Sequence, residues 1–261
     1  MKRVEEDNLK RAMYRRLIGF LVVVAVAPAL WLSDEAGRNA WPGLHYDAVH
    51  YAPIVINYSA FRRLEYAVHI PQLMPPNAAD RATGAVQAHG MLPYLFWRHA
   101  GANSFPKYFK AISRVNQFTI ISMTLLAWLS TRRLTRLLRA IVVISSCWLT
   151  FSILLFLQGR PEHLVFPIIV LVELSALLCR GMPWLSISIR GIGLGLIGAT
   201  SPASAIVYGS ALVVYYNSRL PVIQLARVGL TLGIVSAAVW SLVSINVFDG
   251  ALLDLIKRVI A

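Results

Sequence analysis

The chain has 261 residues, is 57% hydrophobic with a mean hydropathy of +0.61, and carries a formal net charge of +13. That apolar share excludes an ordinary soluble domain and points to an integral membrane protein, all-α, with about six to eight spans in a single membrane domain covering residues 1–261. The cations lie beside apolar segments rather than in a polar domain with interleaved aromatics, so nucleic acid is not the expected partner and membrane topology is the better account of them.

Leu17 to Leu32 is apolar throughout and, with its flanks, reaches the roughly 20 residues that cross a bilayer as a helix. Lys2, Arg3, Lys10, Arg11, Arg15 and Arg16 precede it. Basic residues beside a span stay on the cytoplasmic side, which sends Ser33 onward to the periplasmic or extracellular face. The same charged front and apolar core also fit a signal peptide, an alternative that leaves the downstream spans membranous.

Residues 33–110 read as a long external first loop, too polar and too long for a mere connector. Its centre is Gly43 to Tyr51, GLHYDAVHY, with His45, Asp47 and His50. Tyr46 to Ile70 has the i, i+3, i+4 apolar stripe of a helix lying in the membrane interface, with Asp47 in its first turn, where free amides favour a carboxylate whatever its role. Pro71 to Gly84 is a Pro, Asn and Gly rich connection, and HGMLPY, from His89 to Tyr94, returns the chain to the membrane.

Ala111 to Thr131 then crosses inward with Arg114 and Asn116 near its outer end, and Arg132, Arg133, Arg136 and Arg139 mark the cytoplasmic side. Ala140 to Leu157 crosses outward, Gln158 to His163 turns, and Leu164 to Cys179 crosses back. Glu173 falls inside this span, where a neutral, hydrogen-bonded carboxyl between helices is expected. Gly191 to Tyr216 is interrupted by GATSPA and reads as two half-helices meeting outside, with one kinked span as the alternative. Val228 to Phe248 is the last span, and Asp249 to Ala261 alternates as a short interfacial helix does. Cys147 and Cys179 both lie in apolar spans and carry no zinc or disulfide spacing.

Moving a sugar from a lipid phosphate needs a carboxylate near the membrane surface to accept the acceptor hydroxyl's proton. It also needs cations, hydrogen-bond donors or a metal for the leaving phosphate. Asp47 is the candidate base, with Asp34 and Glu35 as rivals, and Arg160, Glu162, His163, His50 and His89 are candidate substrate-binding residues. Carboxylates such as Asp47 and Glu162 suit magnesium or manganese, though their spacing is not diagnostic of a metal. No Walker loop, dinucleotide-binding glycine motif, Ser-x-x-Lys or His-Glu-x-x-His occurs.

In this order the features resemble the GT-C fold membrane glycosyltransferases, which use polyprenyl-phosphate sugars and include protein mannosyltransferases and lipid A aminoarabinose transferases. The resemblance is carried by YDAVHYAPIV, HGMLPYLFW, QGRPEHLVFPIIVLVEL and GLGLIGATSPAS, and of these only Arg160-Pro161-Glu162 is fairly specific. It implies that Asp47 matches the catalytic first-loop acid and that Arg160 and Glu162 match a second-loop polar site. Where many members have a lysine after the threonine of the broken helix, this chain has Thr200-Ser201, and it is shorter than most members. A polyprenyl-phosphate sugar donor, an acceptor of unspecified identity and the lipid bilayer are the partners implied. A lipid carrier and a non-catalytic scaffold are the competing readings.

Overall fold

The computed structural model describes residues 2–38, 52, 55–56, 92–158 and 160–248, which are helical with short turns and contain no strand. The expected interfacial helix over Tyr46 to Ile70, the 71–84 connection and the C-terminal helix after Phe248 fall wholly or largely outside the described residues. Eight helices are seen among those described: α1 Lys2–Arg38, α2 Leu92–His99, α3 Phe105–Ser130, α4 Arg136–Leu157, α5 Val165–Leu178, α6 Pro183–Gly198, α7 Pro202–Asn217 and α8 Val222–Phe248. A 3₁₀ turn over Pro161–Leu164 joins α4 to α5. Three segments, Ala12–Glu35, Arg136–Leu157 and Val222–Val243, are helices long and apolar enough to cross a membrane.

Helix ends follow local chemistry. Pro106, Pro183 and Pro202 each sit in a first turn, where the missing N–H of proline is no loss. Pro183 thus starts α6 eight residues ahead of the expected Gly191. The Thr135 side chain caps α4 by accepting from the Leu138 amide, and Ser201 caps α7 by accepting from Ser204. Between α2 and α3 the backbone turns at Gly101, whose φ of 71° favours glycine.

GATSPA ends α6 and starts α7, giving two helices that meet at an elbow over residues 199–201. The elbow is tied to α2, because the Leu92 amide donates to the Ala199 carbonyl at 2.8 Å. The close packing of α6 comes from three glycines. A Cβ at Gly195 would lie 2.6 Å from the Ser236 carbonyl oxygen, one at Gly191 2.9 Å from Val235 Cβ, and one at Gly193 2.5 Å from Val172 Cγ2. Gly191 and Gly195 thus admit α8 on one face, and Gly193 admits α5 on another, as small residues do where helices pack without a hydrophobic drive between them.

Glu173 differs from the neutral carboxyl expected. Arg190 donates to both of its oxygens, at 3.0 and 2.8 Å, and the Tyr208 hydroxyl donates to Oε1 at 2.7 Å. Arg190 also reaches the hydroxyls of Tyr216 and Ser186. A lone carboxyl is neutral in an apolar bundle, but a bidentate guanidinium supplies both charge and geometry for the ionised form. This network joins α5, α6 and α7.

Candidate functional site: a polar cleft at one pole

One pole of the bundle gathers the C-terminal end of α1, α2, the first half of α3, the α4–α5 turn and the elbow. Its apolar floor contains Ala52, Val55, Trp97, Tyr108, Ile112, Leu164, Ala199 and Val243, all buried. Trp97 meets Tyr108 edge-on at 5.1 Å between ring centroids and stacks on His163 at 6.1 Å. These contacts fix the turn and α3 against α2.

Asp34, near the end of α1, accepts the Ser113 hydroxyl of α3 at 2.5 Å. Beside this bond a cleft of about 550 Å³ is lined by Asp34, Pro106, Phe109, Lys110, Arg114 and Gln117. Lys110 and Arg114 are one helical turn apart on α3, and both line the same space as Asp34. On the other side of Arg114 lies a second, almost wholly apolar groove of about 450 Å³, bordered by Leu92, Phe96, Phe118, Ile168 and Leu171. Arg114 borders both spaces.

The Arg160–His163 turn joins this pole through His163. Its Nε2 meets Asn116 Oδ1 at 2.6 Å, and the ring is fully buried. With the Asn116 oxygen accepting, Nε2 carries the proton, so Nδ1 presents a lone pair that meets no hydrogen-bond partner. Burial with no opposing charge lowers the His163 pKa to about 4, so the ring is neutral at pH 7. His163 is therefore a neutral strut inside the pole and presents no charge to a phosphate in the cleft. Arg160 is half-buried, with its guanidinium 5.2 Å from the Phe156 ring centroid, and Glu162 is half-buried on the 3₁₀ turn.

Of the residues expected from sequence, Asp34, Glu35, Arg160, Glu162 and His163 are in place at this pole or on its rim, whereas Asp47, His50 and His89 lie outside the described residues. Lys110 and Gln117, which share the cleft with Asp34, were not among the expected site residues, nor was Arg114. Their signal is the run Arg114, Asn116, Gln117, polar positions at the start of an otherwise apolar span. Among the described residues no group of three or more His, Cys, Asp or Glu side chains is placed to hold a metal ion. Asp47, the partner expected for Glu162 in such a role, is not one of them.

Chemically, the cleft brings a carboxylate and two cations into one space at the rim of an apolar bundle. That arrangement suits an anionic group held by Lys110 and Arg114 with a hydroxyl near Asp34. Comparison of the chain with protein-family models, with curated proteins and with solved structures finds no match.

Proposed function

We propose that the protein is a membrane glycosyltransferase that moves a sugar from a polyprenyl-phosphate donor to an acceptor on the extracytoplasmic face. The observation that carries the reading is the convergence, at one pole, of the Asp34–Ser113 bond, the Lys110–Arg114 pair and the Arg160–His163 turn. In this reading all the long helices and the α6–α7 pair cross a bacterial inner or plasma membrane, about six to eight passes in all. The basic residues before Leu17 and those from Arg132 to Arg139 keep the opposite pole in the cytoplasm. Residues 33–110 are then the external first loop.

The carboxylate of the first loop, Asp47, takes the proton of the acceptor hydroxyl as that oxygen attacks the anomeric carbon. The bond from that carbon to the donor's phosphate oxygen breaks, and the lipid phosphate leaves with its negative charge facing the cations of the pole. Asp34 is the rival base because it shares the cleft with Lys110 and Arg114. A magnesium or manganese ion held by Asp47 and Glu162 would add charge stabilisation at the same phosphate.

Transfer of radiolabel from a polyprenyl-phosphate sugar to lipid or protein acceptors, by the purified protein in nanodiscs, tests the reading. Asp47→Asn is expected to abolish transfer at unchanged expression. Full activity in that variant with loss in Asp34→Asn would move the base to Asp34. No transfer by the wild-type chain with any donor would leave the scaffold or lipid-carrier reading in its place.

A further inference from the structure

Resting on the reading of this pole as the place where a lipid-linked donor is held, we propose that a single-chain lipid monophosphate enters sideways between α2, α3 and α5. Its phosphate sits on Arg114 and Lys110, and only the first stretch of its hydrocarbon lies in the groove of Phe96, Phe118, Ile168 and Leu171. The protein reads the phosphate and the chain next to it and leaves the rest of the lipid in the bilayer.

Three observations carry this. First, Arg114 borders both the polar cleft and the apolar groove, so one side chain stands at the junction an amphiphile's head and tail must straddle. Phosphate on that side chain and the neighbouring lysine is a charge-assisted contact in a place of reduced dielectric. Second, the groove opens outward: Phe96, Phe118 and Leu171 are exposed side chains, so a lipid reaches it from the side without passing through the bundle. Third, the groove is short. Along α3 it runs from Ala111 to Phe118, a length of about 10 Å at 1.5 Å per residue. This is roughly a third of a bilayer's hydrocarbon thickness.

The bundle supplies its own comparison. A second apolar groove of about 390 Å³, lined by residues such as Leu194, Ile206, Gly233 and Trp240, has no cation among its described lining residues. It fits hydrocarbon equally well, and none of its described residues carries a charge to hold a phosphate, so a lipid monophosphate distinguishes the two.

The test uses the full chain in phosphatidylcholine nanodiscs and measures binding of radiolabelled farnesyl phosphate, with no sugar attached. Geranylgeranyl and undecaprenyl phosphates are expected to compete within a few-fold of each other, whereas farnesol, inorganic phosphate and phosphatidic acid compete poorly. Arg114→Gln is expected to weaken binding about ten-fold, the loss of one hydrogen bond to a charged group. Leu171→Trp, which fills the groove, should weaken it similarly, and Ile206→Trp in the second groove should leave it unchanged.

Equal binding by wild type, Arg114→Gln and Leu171→Trp overturns the proposal. So does equal competition by inorganic phosphate or phosphatidic acid, or an affinity that keeps rising with chain length. Binding as described without any sugar transfer would sink the transferase reading and leave the groove's role standing. Sugar transfer untouched by Arg114→Gln and Leu171→Trp would do the reverse.

Discussion

Asn116 and His163 stand 47 positions apart in the chain, yet their side chains meet at 2.6 Å in the middle of the pole, with neither exposed to solvent. That bond fastens the α4–α5 turn to α3. Removing the asparagine's oxygen leaves the imidazole buried with both nitrogens unsatisfied, so Asn116→Ala is expected to cost about 1–3 kcal/mol. Asn116→Asp keeps an acceptor and should retain the turn's position while raising the pKa of His163, which NMR titration of the ring would read. Equal thermal stability of Asn116→Ala and wild type in the same detergent would show the bond to be incidental.

His163 also sets a pH dependence. Its folded pKa, about 4, lies below the unfolded value, which is near 6.5. The unfolded chain therefore binds the proton first as pH falls, and stability is present above pH 6.5 and lost as the pH drops towards 4. The loss attributable to this group is at most about 3 kcal/mol and stops below pH 4. Stability measured across this window for wild type and His163→Gln should show the wild-type curve falling more steeply.

The Glu173–Arg190 pair predicts an asymmetry between single and double variants. Glu173→Leu strands a guanidinium whose side chain is only 12% exposed, a loss on the order of 3–5 kcal/mol, and Arg190→Leu strands the carboxylate. Replacing both by leucine should be milder than either change alone. Melting of the four proteins in one nanodisc lipid checks this, and a double variant at the sum of the singles would show that the two residues act independently.

Glycines in α6 and α8 should respond oppositely to alanine. Gly195→Ala drives a methyl against the Ser236 carbonyl and Gly193→Ala drives one against Val172, a stiff β-branched side chain. Each should lose about 1–3 kcal/mol. At Gly229 and Gly233 nothing lies within 4 Å of the added carbon, so alanine should be neutral or stabilise α8 by up to about 1 kcal/mol. Refolding from mild denaturant would rank the four variants.

The helices were the most legible part of the sequence, because apolar runs ended by arginines, prolines and the GATSPA interruption leave few other assignments. The GATSPA interruption from Gly198 to Ala203 is legible as a breaker, while the choice between two half-helices and one kinked span is not, because both leave the same apolar run on either side. Less legible was anything that depends on which faces meet. Glu173 reads as a neutral, hydrogen-bonded carboxyl because its charged partner, Arg190, is 17 positions away on the next helix, and only packing brings them together. The packing role of Gly191 and Gly195 is not read from the sequence, because it depends on which helix they meet. His163 read as a phosphate ligand because its neighbours are Arg160 and Glu162, although the 3₁₀ turn points the imidazole inward. The cleft residues Lys110 and Arg114 are ordinary interfacial cations until the fold brings Asp34 into the same cleft.

The bond from the Leu92 amide to the Ala199 carbonyl has a mechanical meaning. It moors the start of α2 to the corner between α6 and α7. A substitution that shifts Leu92 is therefore expected to disturb the start of α2 and the corner between α6 and α7 together.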